Sequence, residues 1–246
     1  MAEPHIEQHI LMFLEELKTF IRYFNITLLE QKRLAQAVQN KHDEIGRSFD
    51  YENDDDGIVW SRANEKVLGN DEVWITEHKL FIIGGYFIII FHAFERYLED
   101  IFDLAVKHEL PDMLKNGITA EQRKAIEGVL KADKLDTLGS FFDIFPEAKN
   151  VKEYKKVCEL RTVCNVFKHG RGSALERLKK IRPDITKHLD YSFSRLLRPF
   201  REYSLNVEPK MIYEYVDSIK AFLFQVFDIK TDDMFEYEKI EDGTIE

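Results

Sequence analysis

Apolar residues return every three or four positions along most of the chain, and this spacing predicts helices with few interruptions. From Pro4 to about Gly46, the residues Ile6, Ile10, Phe13, Leu14, Leu17, Phe20, Ile21, Phe24, Leu28, Leu34 and Val38 fall on one stripe. They predict one or two long amphipathic helices, with a break near Asn25. A second helix runs from Asn70 or Asp71 to about His108 and carries the most apolar run of the chain, Leu80 to Phe94. Thr119 with Gln122 has the spacing of a capping box and opens a helix to about Lys131. Lys134 to Pro146 suggests a short helix with a proline stop. Asn150 with Glu153 suggests a cap for a helix that ends at Gly170, and Ser173 with Glu176 a cap for another through Lys180. Pro209 suits the first turn of a last helix to about Asp228, with Ile212, Tyr215, Val216, Ile219, Phe222, Leu223 and Val226 facing the core. The stretch 184–205 has little periodicity. Ser48 to Asp71, with Asp54, Asp55 and Asp56 before Gly57, reads as a long acidic loop without the ligand spacing of a calcium loop.

The elements predict an all-α fold, a helical bundle of long antiparallel helices. It forms a single domain over 1–230, followed by an acidic tail at 231–246. That tail holds seven acids and one Lys and is expected to fray. Composition agrees: 44% of the 246 residues are apolar and 33% charged, with only 11 Gly and 6 Pro to break helices. Leu80 to Phe94 is shorter than the roughly 20 apolar residues of a membrane span. It also contains Gly84, Gly85 and His92, so it is expected to be the most buried helix of the core, with no membrane partner. The N-terminus has no basic run of the kind that starts a signal peptide.

Cys158 and Cys164 are the two cysteines, and on one helix they sit about 120° apart, too divergent to pair. With no paired Cys/His cluster, neither a metal nor a cofactor is expected, and a reducing, cytoplasmic setting fits best. The net charge of −10 argues against broad, non-specific binding of nucleic acid. That charge is uneven. Val151 to Lys210 carries a net +8 and the remainder −18, so one region of an acidic protein can still attract a polyanion.

The candidate chemistry lies inside that basic region. About 100° of rotation per residue gathers Arg161, Asn165, Lys168 and His169 within an arc of about 100°, while Leu160, Val163, Cys164, Val166 and Phe167 take the other side. Val157 and Asn165, the neighbours four residues from Arg161, offer it no ion pair within the helix. Lys168 and His169 also suit the last turn of a helix, where cations meet free carbonyls, so a purely structural role competes with a functional one. On the preceding long helix, His92, Glu95, Arg96 and Glu99 interrupt the apolar pattern. Two readings stay open for them: the helix emerges from the core there, or they form a polar wall opposite the Arg161–His169 face.

The run ELRTVCNVFKHGRGS, Glu159 to Ser173, resembles the signature helix of the HEPN superfamily of helical-bundle proteins. The resemblance is carried by Arg161, Asn165 and His169, and by the Lys168-His169-Gly170 ending. Seven residues separate Arg161 from His169, one more than the usual spacing, which still leaves the two about 80° apart on a helix. The resemblance implies a metal-independent endoribonuclease with a toxin, antiviral or stress-effector role. It also implies a homodimer whose two signature helices face one cleft, with RNA or a nucleotide as ligand and an antitoxin protein as a possible partner.

The side chains suit that chemistry in their own right. Cleavage of RNA through its 2′-OH needs a base that titrates near neutrality, and His169 supplies an imidazole. Arg161 can bind the phosphate bidentately, Lys168 adds a point charge, Asn165 can orient the His or the phosphate, and Arg171 is a candidate substrate contact. The alternative is a non-catalytic helical module of the same fold that binds a nucleotide or a partner protein, with the acidic tail as a docking segment.

Overall fold

The structure is a computed structural model and describes residues 4–48, 71, 75, 78–101, 104, 117–120, 122–124, 126, 137–170, 172–186, 205–230 and 235–240. The fold is an all-α helical bundle, and among the described residues every regular element is helical. Helix α1 spans Pro4–Ser48, α2 His78–Ile101, α3 Thr137–Ile144, α4 Tyr154–His169, α5 Ser173–Ile181 and α6 Lys210–Val226. A short 3-10 turn, Pro146–Asn150, joins α3 to α4. Ala120, Gln122–Lys124 and Ile126 are also helical, opened by the expected capping box. Thr119 N donates to Gln122 Oε1 at 2.9 Å, and Gln122 N donates to Thr119 Oγ1 at 3.1 Å.

Helix α1 runs 45 residues without the break expected at Asn25. Asn25 is buried inside it with both polar atoms paired: Nδ2 donates to the Glu238 carbonyl at 2.8 Å, and Oδ1 accepts from Tyr213 at 2.7 Å. A buried amide that is paired with other segments has no cause to distort its own helix. Ile6, Ile10, Phe13, Leu14, Leu17, Ile21, Phe24 and Leu28 form the buried stripe, whereas Leu34 is exposed. The expected stripe therefore leaves the core one turn or so after Leu28.

Helix α2 supplies Ile83, Phe87, Ile90, Phe91, Phe94, Leu98 and Ile101 to the core. By length and composition it is, among the described residues, the one helix apolar enough to cross a membrane, with 24 residues and a mean hydropathy of 1.4. The expected burial holds for one face only, because Phe81 and Ile89 are 62% and 44% exposed. Helix α6 lays Ile212, Tyr215, Val216, Ile219, Phe222 and Leu223 into the same core, and Val226 is partly buried at its end. Helix α3 contributes Phe141 and Phe142, whose rings meet Phe222 and, for Phe142, Tyr154 edge-on at 4.6 Å.

Three local expectations are corrected. Asn150 and Glu153 do not cap α4: Glu153 stands at the N-cap without a side-chain bond to the helix, and its carboxylate accepts from Gln225 at 2.8 Å. Ser173 and Glu176 do not cap α5, because the N-cap is Gly172 and Glu176 pairs with Lys179 at 2.8 Å. Another partner takes the carboxylate that each box needs, Gln225 of α6 for Glu153 and Lys179 of the same helix for Glu176.

The third correction concerns the tail. Residues 235–240 dock on α1 and α6 instead of fraying, burying Phe235 and Ile240. Ile240 N donates to Tyr213 Oη at 3.1 Å, and Tyr237 donates to Asp217 at 2.7 Å. Lys239 pairs with the other oxygen of Asp217 at 2.9 Å. The acidic stretch at 54–56 and the stretch 187–204 lie outside the described residues.

Candidate functional site

Helix α4 is anchored on both sides before it presents anything. Its inner face, Val157, Leu160, Val163, Cys164 and Val166, is buried, and the two cysteines are free thiols as expected from their divergence. Cys164 donates its thiol to the Phe87 carbonyl of α2 at 3.0 Å, and its burial pushes its pKa well up. Phe167 stacks on Phe87 with ring centres 5.8 Å apart and lies against Gly84, where a Cβ would come within 2.6 Å of the ring. This close approach needs a residue without a side chain.

On the flank facing α6, Glu159 is a hub. Its Oε1 accepts from Tyr215 at 2.5 Å, Arg182 at 2.5 Å and Lys156 at 2.9 Å. Burial alone would raise the Glu159 carboxyl, but these donors outweigh it and hold its pKa below the ordinary value. Arg182 also forks onto Asp184, which is drawn down to about 2 by that guanidinium. Lys156 and Arg182, two of the cations that make this region basic, are thus used in structure.

The other polar flank of α4 carries Arg161, Asn165, Lys168 and His169. Arg161 and Asn165 are half-buried, and Lys168 and His169 are exposed in the last turn. The helix stops at Gly170, whose φ of 66° lies in the left-handed region and whose N–H closes on the Val166 carbonyl at 2.8 Å. Arg171 lies outside the described residues. Cys158 borders the same face beside Arg161 and Arg177. Its burial raises the thiol above its usual value despite those two guanidinium groups, which disfavours a thiolate nucleophile there.

Of the polar interruptions of α2, Glu95 comes within the electrostatic reach of this face. His92 Nδ1 stands 3.1 Å from Glu95 Oε2, with the imidazole 44% and the carboxylate 23% exposed. Burial raises Glu95 above the usual carboxylate range, while His92, Lys168 and Arg161 pull the other way. Glu95 therefore lies within the field of two cations of α4. Of the two readings open for this segment, the polar wall is the one the geometry favours for Glu95. The group missing from the α4 motif alone is Glu95, and its signal was a polar interruption inside an otherwise apolar run.

Chemically, the face offers a guanidinium and an ammonium for an anion, an amide for orientation and an imidazole, with one partly buried carboxylate within their field. No protein-family model, curated protein or solved structure matches the chain.

Proposed function

We propose that the protein is a metal-independent endoribonuclease of HEPN type that cleaves RNA by attack of its own 2′-OH, in a toxin, antiviral or stress-effector role. The observation that supports this reading most is the open end of α4. It brings a guanidinium, an amide, an ammonium and an imidazole to one solvent-facing patch, while the opposite flank of the helix is locked by Glu159. In this reading His169 takes the proton of the 2′-OH, which raises the nucleophilicity of that oxygen. Arg161 holds the non-bridging phosphate oxygens as they gain charge, Lys168 adds a second cation, and Asn165 orients the phosphate. Two copies of the chain place two such faces on one cleft, and an antitoxin protein covering that cleft would silence it.

The alternative is a non-catalytic module that binds a nucleotide or a partner protein, and one observation favours its partner-protein form. The Glu95 carboxylate beside Arg161 and Lys168 opposes the approach of a phosphate. Measuring binding and cleavage on one labelled RNA separates the two. The ribonuclease reading expects Arg161→Ala to lower the cleavage rate by about 10²–10³-fold, the size of a lost transition-state donor, with a smaller loss of binding. Tight binding of nucleotide or protein by a wild type that cuts nothing would favour the module.

A further inference from the structure

We propose that the exposed ring of Phe81 on α2 stacks on a base of single-stranded RNA whose phosphates are held by the end of α4; the assignment rests on the ribonuclease reading above. Two contacts set the register of the helices. Cys164 donates to the Phe87 carbonyl at 3.0 Å, and Phe167 lies against Gly84, where a Cβ would stand 2.6 Å from the ring. Three residues forward on α4 are thus three residues back on α2, so the two helices run antiparallel. The same step again brings Phe81 to the level of Gly170, the residue that stops α4. Lys168 and His169 are exposed in that last turn.

Around α2, Phe81 and Gly84 stand about 60° apart, so the ring lies at the outer edge of the contact with Phe167. Phe81 is 62% exposed, whereas Ile82 and Ile83 beside it are buried. Gly85 meets no atom within 4 Å of an added Cβ, and Ile89 one turn further is 44% exposed. Phe81, Gly85 and Ile89 follow one another at i, i+4 and i+8, so two apolar side chains border an open notch.

A lone exposed apolar side chain is ordinary on a protein surface. This one adjoins a helix end of the opposite character. Leu80 to Phe94 contains no Asp, Glu, Lys or Arg, whereas Val151 to Lys210 carries a net +8. An uncharged ring beside exposed cations complements a strand that alternates flat bases with phosphates. A duplex keeps its base faces stacked inside, so the matching ligand is single-stranded. Phe81 then binds and positions the nucleotide next to the phosphate held by Lys168, and takes no part in proton transfer.

The test measures binding of a short mixed-sequence 2′-O-methyl oligoribonucleotide, which has no free 2′-OH to attack, and of an abasic strand of the same length. Wild type, Phe81→Ala, Phe81→Leu, Phe81→Tyr and Lys168→Ala are compared, with folding checked by circular dichroism. Phe81→Ala and Phe81→Leu are expected to bind the base-bearing strand about 5–150-fold more weakly, the range of one lost stacked base. Phe81→Tyr stays within a few-fold of wild type. All three bind the abasic strand as wild type does, while Lys168→Ala weakens both strands. No loss on the base-bearing strand, equal losses on both strands, or full binding by Phe81→Leu overturns the stacking assignment. If wild type cuts RNA while Phe81→Ala binds normally, this assignment alone falls. Folded wild type that cuts no RNA and binds neither strand overturns the ribonuclease reading as well.

Discussion

Phe167 of α4 covers Gly84 of α2 so closely that a Cβ there would stand 2.6 Å from the aromatic ring. With Cys164 bonded to the Phe87 carbonyl one turn away, this contact sets how α4 packs on α2 and so where its polar face stands relative to Glu95. Gly84→Val is therefore expected to lower stability by about 1–3 kcal/mol through overpacking, read as the shift in urea midpoint. Gly85 has no atom within 4 Å of an added Cβ, so Gly85→Ala is expected to gain up to about 1 kcal/mol from helix propensity. Equal responses at the two glycines would contradict the close approach.

Glu159 joins α4 to α6 through Tyr215 and to the end of α5 through Arg182. Its pKa lies below the ordinary value of 4.5, so the stability it contributes is complete above 4.5 and is lost as pH falls through the lower folded value. Tyr215→Phe removes one donor to a charged acceptor and is expected to cost about 1–3 kcal/mol at neutral pH. The same variant should lose less stability than wild type on acidification, as measured by thermal melts between neutral and acid pH.

Glu95 has the opposite sign. Burial raises its pKa against the pull of His92, Lys168 and Arg161, so the fold favours the protonated carboxyl. Wild type then loses stability as pH rises through that raised value, and a neutral replacement escapes the loss. Glu95→Gln is expected to melt above wild type at neutral pH, with the gap closing below 4.5, the ordinary carboxyl value. A lower melting temperature at neutral pH would mean that Glu95 serves the fold and not a site.

Tyr213 holds the C-terminal segment by giving its proton to Asn25 and accepting from Ile240 N. Tyr213→Phe leaves a buried amide oxygen and a buried N–H without their partner. A cost of about 2–5 kcal/mol is expected from two such groups, read by denaturant unfolding. Hydrogen exchange should show the Ile240 amide opening first.

The long helices were legible because their apolar stripes repeat over many turns, as from Ile6 to Leu28 and from Ile212 to Leu223. The α4 face was legible for the same reason: Arg161, Asn165, Lys168 and His169 share a side by local geometry alone. Whatever depended on a second segment was not. Glu153 has capping spacing, yet Gln225 of α6 draws its carboxylate away. Residues 235–240 looked too acidic to fold, but Phe235, Tyr237 and Ile240 face inward while Glu236 and Glu238 stay exposed. That alternation of inward and outward positions was the overlooked signal. Glu95 stood out as a polar interruption, but only the packing of α2 on α4 brings it to Arg161 and Lys168.

The central claim is that the polar end of α4 cleaves RNA with His169 as its base. The most direct measurement incubates a labelled, mixed RNA pool in EDTA with wild type and His169→Ala side by side, and identifies the new 3′ ends. Cutting by wild type to 2′,3′-cyclic phosphates, lost in the folded variant, is the result the site geometry supports. Equal cutting by both proteins, or none by well-folded wild type, would contradict it.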